Sequence, residues 1–350
     1  MKRITLADGA GGEKMTKLIK NYVLKHLNSN AKNIDVGLSD LDDSAVVNGI
    51  VFTTDSHTVK PLFFPGGDIG SLAVAGTVND IAVMGVKPVA LSSAFVIEEG
   101  FPVDDYEKIL LSMKKTSRYA DVPIVTGDTK VVEKGAVEKL IINTSGIGMR
   151  SKTLDENIKE IRRYRKFDGK WLTDSSIKEG DKIIVSGSVG DHGIAILSFR
   201  EGYGFESEIK SDVKPLNKMI EKILNVGGVV SMKDPTRGGL ANTLNEFAEK
   251  SNIGIMVEEE KIPIKEGVKS ACELLGIDPL EIGNEGKVVI GVVKEKAEDV
   301  LKALRKTREG KNAEIIGEAT KKVKGVVLKT VVGGRRIVET PLGDPVPRIC

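Results

Sequence analysis

Residues 64–80 read FPGGDIGSLAVAGTVND, and the interpretation of the surrounding chain starts from them. A glycine pair followed by a run of small residues predicts a helix over residues 68–85. Gly85, with Pro88 just beyond it, is an ordinary helix stop. Asp80 lies inside this helix, one turn after Gly76. A carboxylate in this setting is a candidate for binding as well as for structure.

Helical and strand-like segments alternate on both sides of this stretch. Before residue 150, strands are predicted at 51–54, 124–126 and 140–142, and an amphipathic helix at 104–119. After residue 178, strands are predicted at 182–185 and 288–293, helices at 194–200, 215–225, 240–251, 266–275 and 295–308, and a hairpin at 326–339. The mixture predicts an α+β fold with two domains. We expect domains at 1–150 and 178–338, a linker at 151–177 and a flexible tail at 339–350.

The composition excludes several classes of protein. A length of 350 residues suits two domains, and the net charge of +2 lacks the excess of basic residues typical of a general nucleic-acid binder. No apolar run is long enough to span a membrane, and no apolar segment follows the first basic residues as it would in a signal peptide. Two cysteines cannot form a disulfide framework. We therefore expect a cytoplasmic protein that binds neither nucleic acid nor membrane.

The segment 155–173 is rich in Lys and Arg and contains Trp171, the single tryptophan. Such a charge run favours a solvated linker or a surface helix. Contact with a polyanion is the alternative.

Carboxylates beside glycines or at strand ends are the first candidate site. They are the pair Asp42–Asp43, Asp55, Asp80, Asp128 and Asp234, and the candidate metal ligands among them are Asp43, Asp55, Asp80 and Asp234. Mg²⁺ binds through a few carboxylates together with phosphate oxygens and water, so this pattern is typical of a metal–phosphate site. Each Asp could instead cap a helix or a turn.

Glycine clusters at 9–12, 66–67 and 187–193 precede predicted helices. Free backbone N–H groups at a helix start attract phosphate. None of the clusters matches the P-loop motif or the dinucleotide-binding motif, and glycine turns are common without any ligand.

Three polar residues have two interpretations each. Lys130, two residues after Asp128, could neutralise a transferring phosphoryl group or could be an ordinary surface lysine. His192, in a glycine loop, could titrate or could be a structural hydrogen-bonding residue. Glu285 precedes a predicted buried strand and could act in the site or belong to a simple loop.

The last segment, residues 341–350, reads PLGDPVPRIC. Its three prolines oppose helix and sheet, which predicts an extended and mobile arm. Cys350 at its tip could carry a group as a tethered nucleophile in its thiolate form, which Arg348 would favour. Cys272 reads as a buried small hydrophobic residue.

Several motifs together resemble one known family. They are DGAGG at 8–12, DDSA at 42–45, TDSH at 54–57, FPGGDIG at 64–70, GTVND at 76–80, TGDTK at 126–130, GDHG at 190–193, DPTRGG at 234–239, NEGK at 284–287 and PRIC at 347–350. In these motifs the chain resembles the HypE family of hydrogenase maturation factors. That family is part of the PurM-like superfamily of aminoimidazole ribonucleotide and selenophosphate synthetases.

The resemblance implies a two-domain PurM-like (AIR synthase-like) homodimer with ATP and Mg²⁺ in a cleft between the domains. A carbamoyltransferase partner, HypF, would carbamoylate Cys350. The chain would then use ATP to dehydrate the thiocarboxamide to a thiocyanate. The cyanide would pass to iron on a HypC–HypD complex for a [NiFe] hydrogenase.

The chemistry of this implied reaction suggests roles for the candidate residues. Cys350, Lys130 and Glu285 would be catalytic, with Glu285 as the base. The nucleotide would contact Gly11, Gly12, Asp55, Asp128, Thr129, Thr236 and Arg237. Two alternatives remain open: another ATP-dependent enzyme of the superfamily that acts on a small molecule, and a non-catalytic scaffold that offers its tail as a docking peptide.

Overall fold

Two β-sheets organise the chain. The computed structural model describes residues 3–29, 31–200, 208–343, 345–346 and 348–350. The first sheet has six strands in the order β1-β2-β3-β8-β6-β7, antiparallel except for the parallel pair β6–β7. The second sheet has seven strands in the order β10-β12-β9-β13-β11-β14-β15, antiparallel except for the parallel pair β11–β14.

The strands of the first half are β1 Ile34–Val36, β2 Ala45–Val47, β3 Ile50–His57, β4 Phe63–Phe64, β5 Gly67–Asp68, β6 Lys87–Glu98, β7 Ile124–Val132 and β8 Leu140–Met149. Those of the second half are β9 Lys182–Val185, β10 Val229–Lys233, β11 Gly254–Glu258, β12 Val289–Val292, β13 Glu314–Thr320, β14 Val326–Lys329 and β15 Arg335–Val338. The short strands β4 and β5 pair with each other.

The α-helices are α1 Gly12–Leu18, α2 Leu24–Leu27, α3 Ile69–Val83, α4 Val103–Ala120, α5 Lys152–Ile161, α6 Asp191–Phe199, α7 Asn217–Val226, α8 Gly239–Ser251, α9 Glu266–Leu275 and α10 Ala297–Arg305. A π-helical turn, Ile19–Val23, joins α1 to α2.

Helix α3 is the buried centre of the first half. Asp68 caps its start by accepting hydrogen bonds from the N–H groups of Gly70 and Ser71, at 2.7 and 2.9 Å. The helix packs closely on β8, where a Cβ added to Gly146 would lie 2.5 Å from Cδ1 of Ile81. The predicted helix at 68–85 is therefore present, and its small residues and those of β8 allow helix and sheet to approach closely.

The other predicted helices and strands are also present, with ends shifted by up to seven residues. The sequence interpretation missed eight of the fifteen strands in the described residues, the longest of which is β6, the twelve-residue strand Lys87–Glu98. Pro88 lies beyond the end of α3, as a stop signal predicts, and it also lies at the start of β6, where a missing N–H is tolerated.

The connector between the two sheets is more buried than its charge predicts. Leu154, Ile158 and Ile161 of α5 are buried, and Trp171 is 6% exposed. The surface-helix interpretation of this segment is confirmed by α5, whose apolar residues face the core. The linker that follows is only partly solvated, because Arg165 is largely buried and pairs with Asp181 at 3.0 Å.

The predicted mobile arm lies against the protein in this conformation. Val346 and Ile349 are buried, at 0% and 1% exposure. Its residues 344 and 347 lie outside the described part. A second, outward position of the arm stays a prediction. Within the described ranges, no helix has both the length and the apolar character needed to cross a bilayer.

Candidate active site

A cavity of about 220 Å³ gathers carboxylates from both halves of the chain. It is lined by Asp43, Thr53, Thr54, Asp55, Gly76, Asp80, Asp234, Thr236, Arg237, Glu285 and Cys350. We call it the acidic pocket. All four candidate metal ligands line it, as do the candidate base Glu285 and the candidate nucleophile Cys350.

Each carboxylate is delivered by a different element. Asp55 lies on β3 and Asp80 on α3 in the first half. Asp234 follows β10 directly, and Glu285 precedes β12 in the second half. Because β10 and β12 are antiparallel neighbours in the second sheet, the end of β10 lies beside the start of β12. Asp234 and Glu285 therefore lie at the same end of that sheet. The pocket therefore lies where the two halves meet.

A glycine makes room beside Asp55. A Cβ on Gly76 would lie 3.3 Å from Oδ2 of Asp55 and 3.2 Å from Cε1 of His57. His57 is buried, with its Nε2 3.4 Å from Oδ2 of Asp55. Burial lowers the pKa of His57, so the imidazole is neutral and does not cancel the charge of Asp55.

Thr53 contacts two of the acidic residues, Asp43 and Asp80. Its hydroxyl lies 3.0 Å from Oδ2 of Asp80 and 3.0 Å from the main-chain oxygen of Asp43. Ser44 donates to the main-chain oxygen of Asp80 at 2.9 Å. These contacts hold the start of β2 against α3 and orient the Asp80 carboxylate.

Burial and mutual repulsion raise the pKa values of the carboxyl groups. Burial first, and then the charges of neighbouring acids, raise the pKa of Asp234 to about 8 and that of Asp80 well above its usual value. Burial raises the pKa of Asp43 to about 6. Glu285 is shifted upward in the same way, by burial and then by Asp234. The pocket is thus short of positive charge.

The donor set fits a divalent cation. Oδ2 of Asp43 and Oε1 of Glu285 are buried without a hydrogen-bond partner, although buried carboxylate oxygens are normally satisfied. Hard oxygen ligands on several carboxylates suit Mg²⁺, which keeps some water and phosphate ligands. In the described ranges the one group of three acids within 4.8 Å is Asp42, Asp43 and Asp174. The acids of the pocket are more widely spread, as they would be around a metal that shares its ligands with phosphate.

Two lysines, Lys233 and Lys250, pair with acids of the group Asp42, Asp43 and Asp174. Nζ of Lys233 lies 2.6 Å from Asp43, 3.2 Å from Asp174 and 3.2 Å from Glu246. Lys250 adds a second contact to Asp174, at 2.7 Å. This network joins the first half, the connector and the second half, so we assign it to positioning Asp43 and the domains. The sequence interpretation missed Lys233, Lys250 and Asp174, because no motif marks them.

The chain end is held in the pocket by charge and by backbone contacts. The negative charge at Cys350 raises the pKa of Arg237. Thr58 donates from its N–H to a terminal oxygen of Cys350 at 3.1 Å, and the N–H of Lys60 donates to the oxygen of Arg348 at 3.2 Å. Cys350 therefore lies half-buried among the carboxylates of the pocket.

Gly11 and Gly12 lie against both the pocket residue Arg237 and the arm. A Cβ on Gly11 would lie 2.8 Å from Cβ of Arg237, and one on Gly12 would lie 2.0 Å from the oxygen of Pro341. Both have positive φ, and the N–H of Glu13 donates to Pro341 at 3.0 Å. The glycines permit this close approach between the N-terminal segment and the start of the arm.

The structure does not bring Asp128, Thr129 and Lys130 into the acidic pocket. They lie on β7, the edge strand of the first sheet, and Nζ of Lys130 pairs with Asp128 at 2.8 Å. Asp128 and Thr129 line a separate cavity of about 700 Å³. Their roles in nucleotide binding and phosphoryl transfer stay predictions.

Comparison with known proteins gives the family. Residues 41–150 match the model "AIR synthase related protein, N-terminal domain", and residues 178–329 match "AIR synthase related protein, C-terminal domain". A Methanocaldococcus jannaschii protein named for hydrogenase expression and formation is 55% identical, over 99% of this chain and 100% of its own. The carbamoyl dehydratase HypE of Escherichia coli is 41% identical, over 100% of both chains.

Solved structures support the same family assignment. The structure titled as a HypE–HypF complex matches with a TM-score of 0.83 and 46% identity, over 93% of this chain and 99% of that one. A HypE structure in complex with ATP matches with a TM-score of 0.79 and 40% identity, over 99% and 100%. The chain thus belongs to the HypE family of AIR synthase-related proteins.

Proposed function

We propose that this chain is a carbamoyl dehydratase that converts its own S-carbamoylated Cys350 to a thiocyanate at the expense of ATP, in hydrogenase maturation. Relatives of 41% and 44% identity over nearly the whole chain carry the name carbamoyl dehydratase. The observation that carries the proposal here is the position of Cys350 inside a pocket of carboxylates. A small-molecule substrate would not need a cysteine at the end of the chain.

The chemistry explains the need for ATP. The amide oxygen of the carbamoyl group is a poor leaving group. Transfer of the γ-phosphoryl group of ATP to this oxygen turns it into part of a phosphate, which is a good leaving group. The nitrogen then loses two protons, the C–O bond breaks and phosphate leaves, so that the C≡N bond forms. ATP becomes ADP and phosphate, and the thiocarboxamide loses the elements of one water.

Asp43, Asp55, Asp80 and Asp234 are the residues that would hold Mg²⁺. When bound, the ion would neutralise charge on the phosphates during phosphoryl transfer. A solved relative holds ATP, and we infer that nucleotide binds here also, beside Thr236, Arg237 and the glycines at 11–12.

Glu285 is the proposed proton acceptor. Its burial among other acids raises its pKa, so its carboxylate binds a proton more tightly than an exposed glutamate does. Oε1 of Glu285 has no hydrogen-bond partner and is therefore available to a substrate nitrogen. The charge at Cys350 raises the pKa of Arg237, and we infer that the attraction between them helps to orient the chain end.

A homodimer would cover an exposed apolar face of the first sheet. Phe52 and Ile147 form a cross-strand pair on this face, and Ile50 pairs with Met149 beside them. All four side chains are exposed, at 40–57%. A sheet face this apolar is typical of an interface, and a second copy of the chain would bury it. Asp128 and Lys130, on the edge strand of the same sheet, would then lie near the partner subunit.

The remaining partners and the domain limits follow from the family. We propose HypF as the carbamoyl donor, since a relative of 46% identity was solved with it, and the HypC–HypD complex as the acceptor of cyanide. We propose domains at 1–150 and 178–338, joined by a linker at 151–177. Delivery to a partner requires the arm at 339–350 to leave the pocket.

Intact mass measurement tests the function. The wild type and the Asp80→Asn variant are each mixed with HypF, carbamoyl phosphate, ATP and Mg²⁺, purified and weighed. We expect the wild type to gain one carbamoyl group less one water, and Asp80→Asn, which cannot use ATP, to retain the whole carbamoyl group. The Cys350→Ala variant should gain nothing and keep its melting temperature.

The alternatives make different predictions. A carbamoyl adduct that ATP leaves unchanged would favour the scaffold. Absence of any adduct with an active HypF would favour an enzyme that acts on a small molecule.

A further inference from the structure

A second cavity, of about 430 Å³, lies next to the acidic pocket and has the opposite charge. Its lining includes six basic side chains, Lys210, Lys214, Lys265, Lys287, Arg308 and Lys311, and three acidic ones, Asp191, Asp212 and Glu309. We call it the basic cavity. Nothing in the proposed dehydration uses it.

Two of the three acidic residues of the basic cavity are paired with lysines. Lys265 contacts Asp191 at 2.7 Å, and Lys287 contacts Asp212 at 3.1 Å. Glu309 accepts a hydrogen bond from the hydroxyl of Tyr119. Within the described residues, four cations of the cavity are left without an ion pair: Lys210, Lys214, Arg308 and Lys311. Their charges converge on one concave space.

Lys287 and Lys214 form the floor of the cavity, and both are at least half-buried. Lys287 is 9% exposed and also donates to the main-chain oxygen of Gly286 at 3.3 Å. Lys214 is half-buried, and its main-chain oxygen accepts a hydrogen bond from Asn79 at 3.2 Å. Burial, followed by the charge of Arg308, lowers the pKa of Lys214, and the charges of Glu309 and Asp212 only partly offset this. Repulsion among these cations is a cost that a bound anion would remove.

The basic cavity is separate from the acidic pocket although the two share a wall. Glu285 lines the acidic pocket, while the next residues, Gly286 and Lys287, line the basic cavity. Asp212 accepts a hydrogen bond from the N–H of Glu285 at 3.1 Å. A ligand in the basic cavity would therefore not occupy the site of the nucleotide.

We propose that the basic cavity binds a small multivalent oxyanion of the phosphate class, either free phosphate or the phosphate group of a small molecule. Several unpaired cations around one space match a multivalent anion better than a single carboxylate. The cavity is concave and of the size that small ligands fill, about 300–1,000 Å³, which favours a small molecule over a polymer.

Isothermal titration calorimetry with inorganic phosphate tests the proposal on the full chain. EDTA in the buffer removes divalent cations, so that the acidic pocket, which repels anions, does not contribute. We expect one binding site in the wild type and binding weakened at least about tenfold in the double variant Lys214→Ala/Arg308→Ala, since hydrogen bonds to charged groups are strong. Lys324→Ala, at an exposed lysine outside the cavity, is the matched control and should bind like the wild type.

A second variant keeps the test valid if the first one misfolds. Lys210→Glu/Lys311→Glu changes two exposed side chains without touching the floor, and it should also weaken binding. A titration with glycerol phosphate distinguishes the sources: tighter binding than phosphate indicates a phosphorylated molecule, and weaker binding indicates the free ion. Absence of binding in the wild type, or equal affinity in wild type and both double variants, would overturn the proposal.

Discussion

Nε2 of His192 donates a hydrogen bond to the carbonyl oxygen of Ile349 across 2.7 Å. A carbonyl can only accept, so the proton is on Nε2, and Nδ1 accepts from the hydroxyl of Ser211, also at 2.7 Å. Burial lowers the pKa of His192 and keeps the ring neutral. This contact fixes the residue before Cys350 and so determines where the thiol lies.

Replacing His192 should loosen the docked arm. His192→Ala removes the donor to Ile349, a loss of about 1–3 kcal/mol for a buried group left unpaired. We expect Cys350 to react faster with a maleimide, as followed by peptide mass spectrometry, while the buried Cys272 does not change. His192→Gln, which retains a donor near the position of Nε2, should restore slow reaction. Equal rates in all three proteins would exclude a role for His192 in docking.

Asp80→Asn should abolish ATP hydrolysis without unfolding the protein. The substitution removes one carboxylate of the proposed Mg²⁺ site. Because Asp80 is already destabilised as an anion by burial and then by Asp234 and Asp55, a neutral amide should leave the metal-free melting temperature unchanged or higher. Phosphate release and differential scanning fluorimetry measure the two effects. Normal turnover would remove Asp80 from the metal site.

Stability without metal should fall as pH rises. The pKa of Asp234 is raised to about 8 in the folded state, from 3.8, so the folded protein holds this proton more tightly than the unfolded chain. The contribution of Asp234 is complete below about pH 4 and is lost progressively up to about pH 8. The melting temperature in EDTA should therefore decline more steeply over this range in the wild type than in Asp234→Asn.

Mg²⁺ should reverse that decline, and more strongly at pH 8 than at pH 5, because it stabilises the ionised carboxylates. A Mg²⁺ effect equal at both pH values, or equal slopes in wild type and Asp234→Asn, would contradict this account of the pocket.

Removing the buried cation Lys233 should be costly. Lys233→Met leaves the charges of Asp43 and Asp174 without their main partner, for which a loss of about 3–5 kcal/mol in unfolding free energy is typical. Chemical denaturation measures it. The control Lys17→Met breaks an exposed pair with Glu13 and should change stability by no more than about 0.5 kcal/mol. Equal losses in the two variants would show that the buried network is unimportant.

A charge on the apolar face of the first sheet should prevent dimer formation. We expect light scattering to give twice the chain mass of 37.7 kDa for the wild type and the single mass for Phe52→Lys. Val332→Lys, at a site 90% exposed in the hairpin of the second sheet, should remain dimeric. A monomeric wild type, or a dimeric Phe52→Lys, would exclude this face as the interface.

Local signals account for what could be predicted of the fold. The cap at Asp68, the small residues after it and the stop at Gly85 act within a few residues, so they predict α3 from the sequence. Strand β6 was missed because the environment of Pro88, at the start of a strand, depends on its neighbours in the sheet. The burial of α5 and Trp171 was missed because charge dominates the local composition, whereas packing depends on the apolar face.

The site was predicted as residue types rather than as an arrangement. Asp55 could be selected because it follows a predicted strand, Asp80 because it lies one turn after Gly76, and Asp234 because it begins a segment that contains two glycines. Lys233 carries no such mark, and its role depends on acids far away in the sequence. His192 was recognised as a hydrogen-bonding candidate, but its partner Ile349 could not be known before the arm was placed.

The α+β class, most of the α-helices, about half of the strands, the set of acids and the cysteine on a proline-rich arm could be predicted from the sequence alone. These depend on propensities, caps and motifs that act over short distances. The tertiary structure alone decided that Asp43, Asp80, Glu285 and Cys350 share one pocket, and that Asp128 and Lys130 lie outside it. It also separated the basic cavity from the acidic pocket. Such proximity arises when sheets and helices pack, and packing depends on the whole chain.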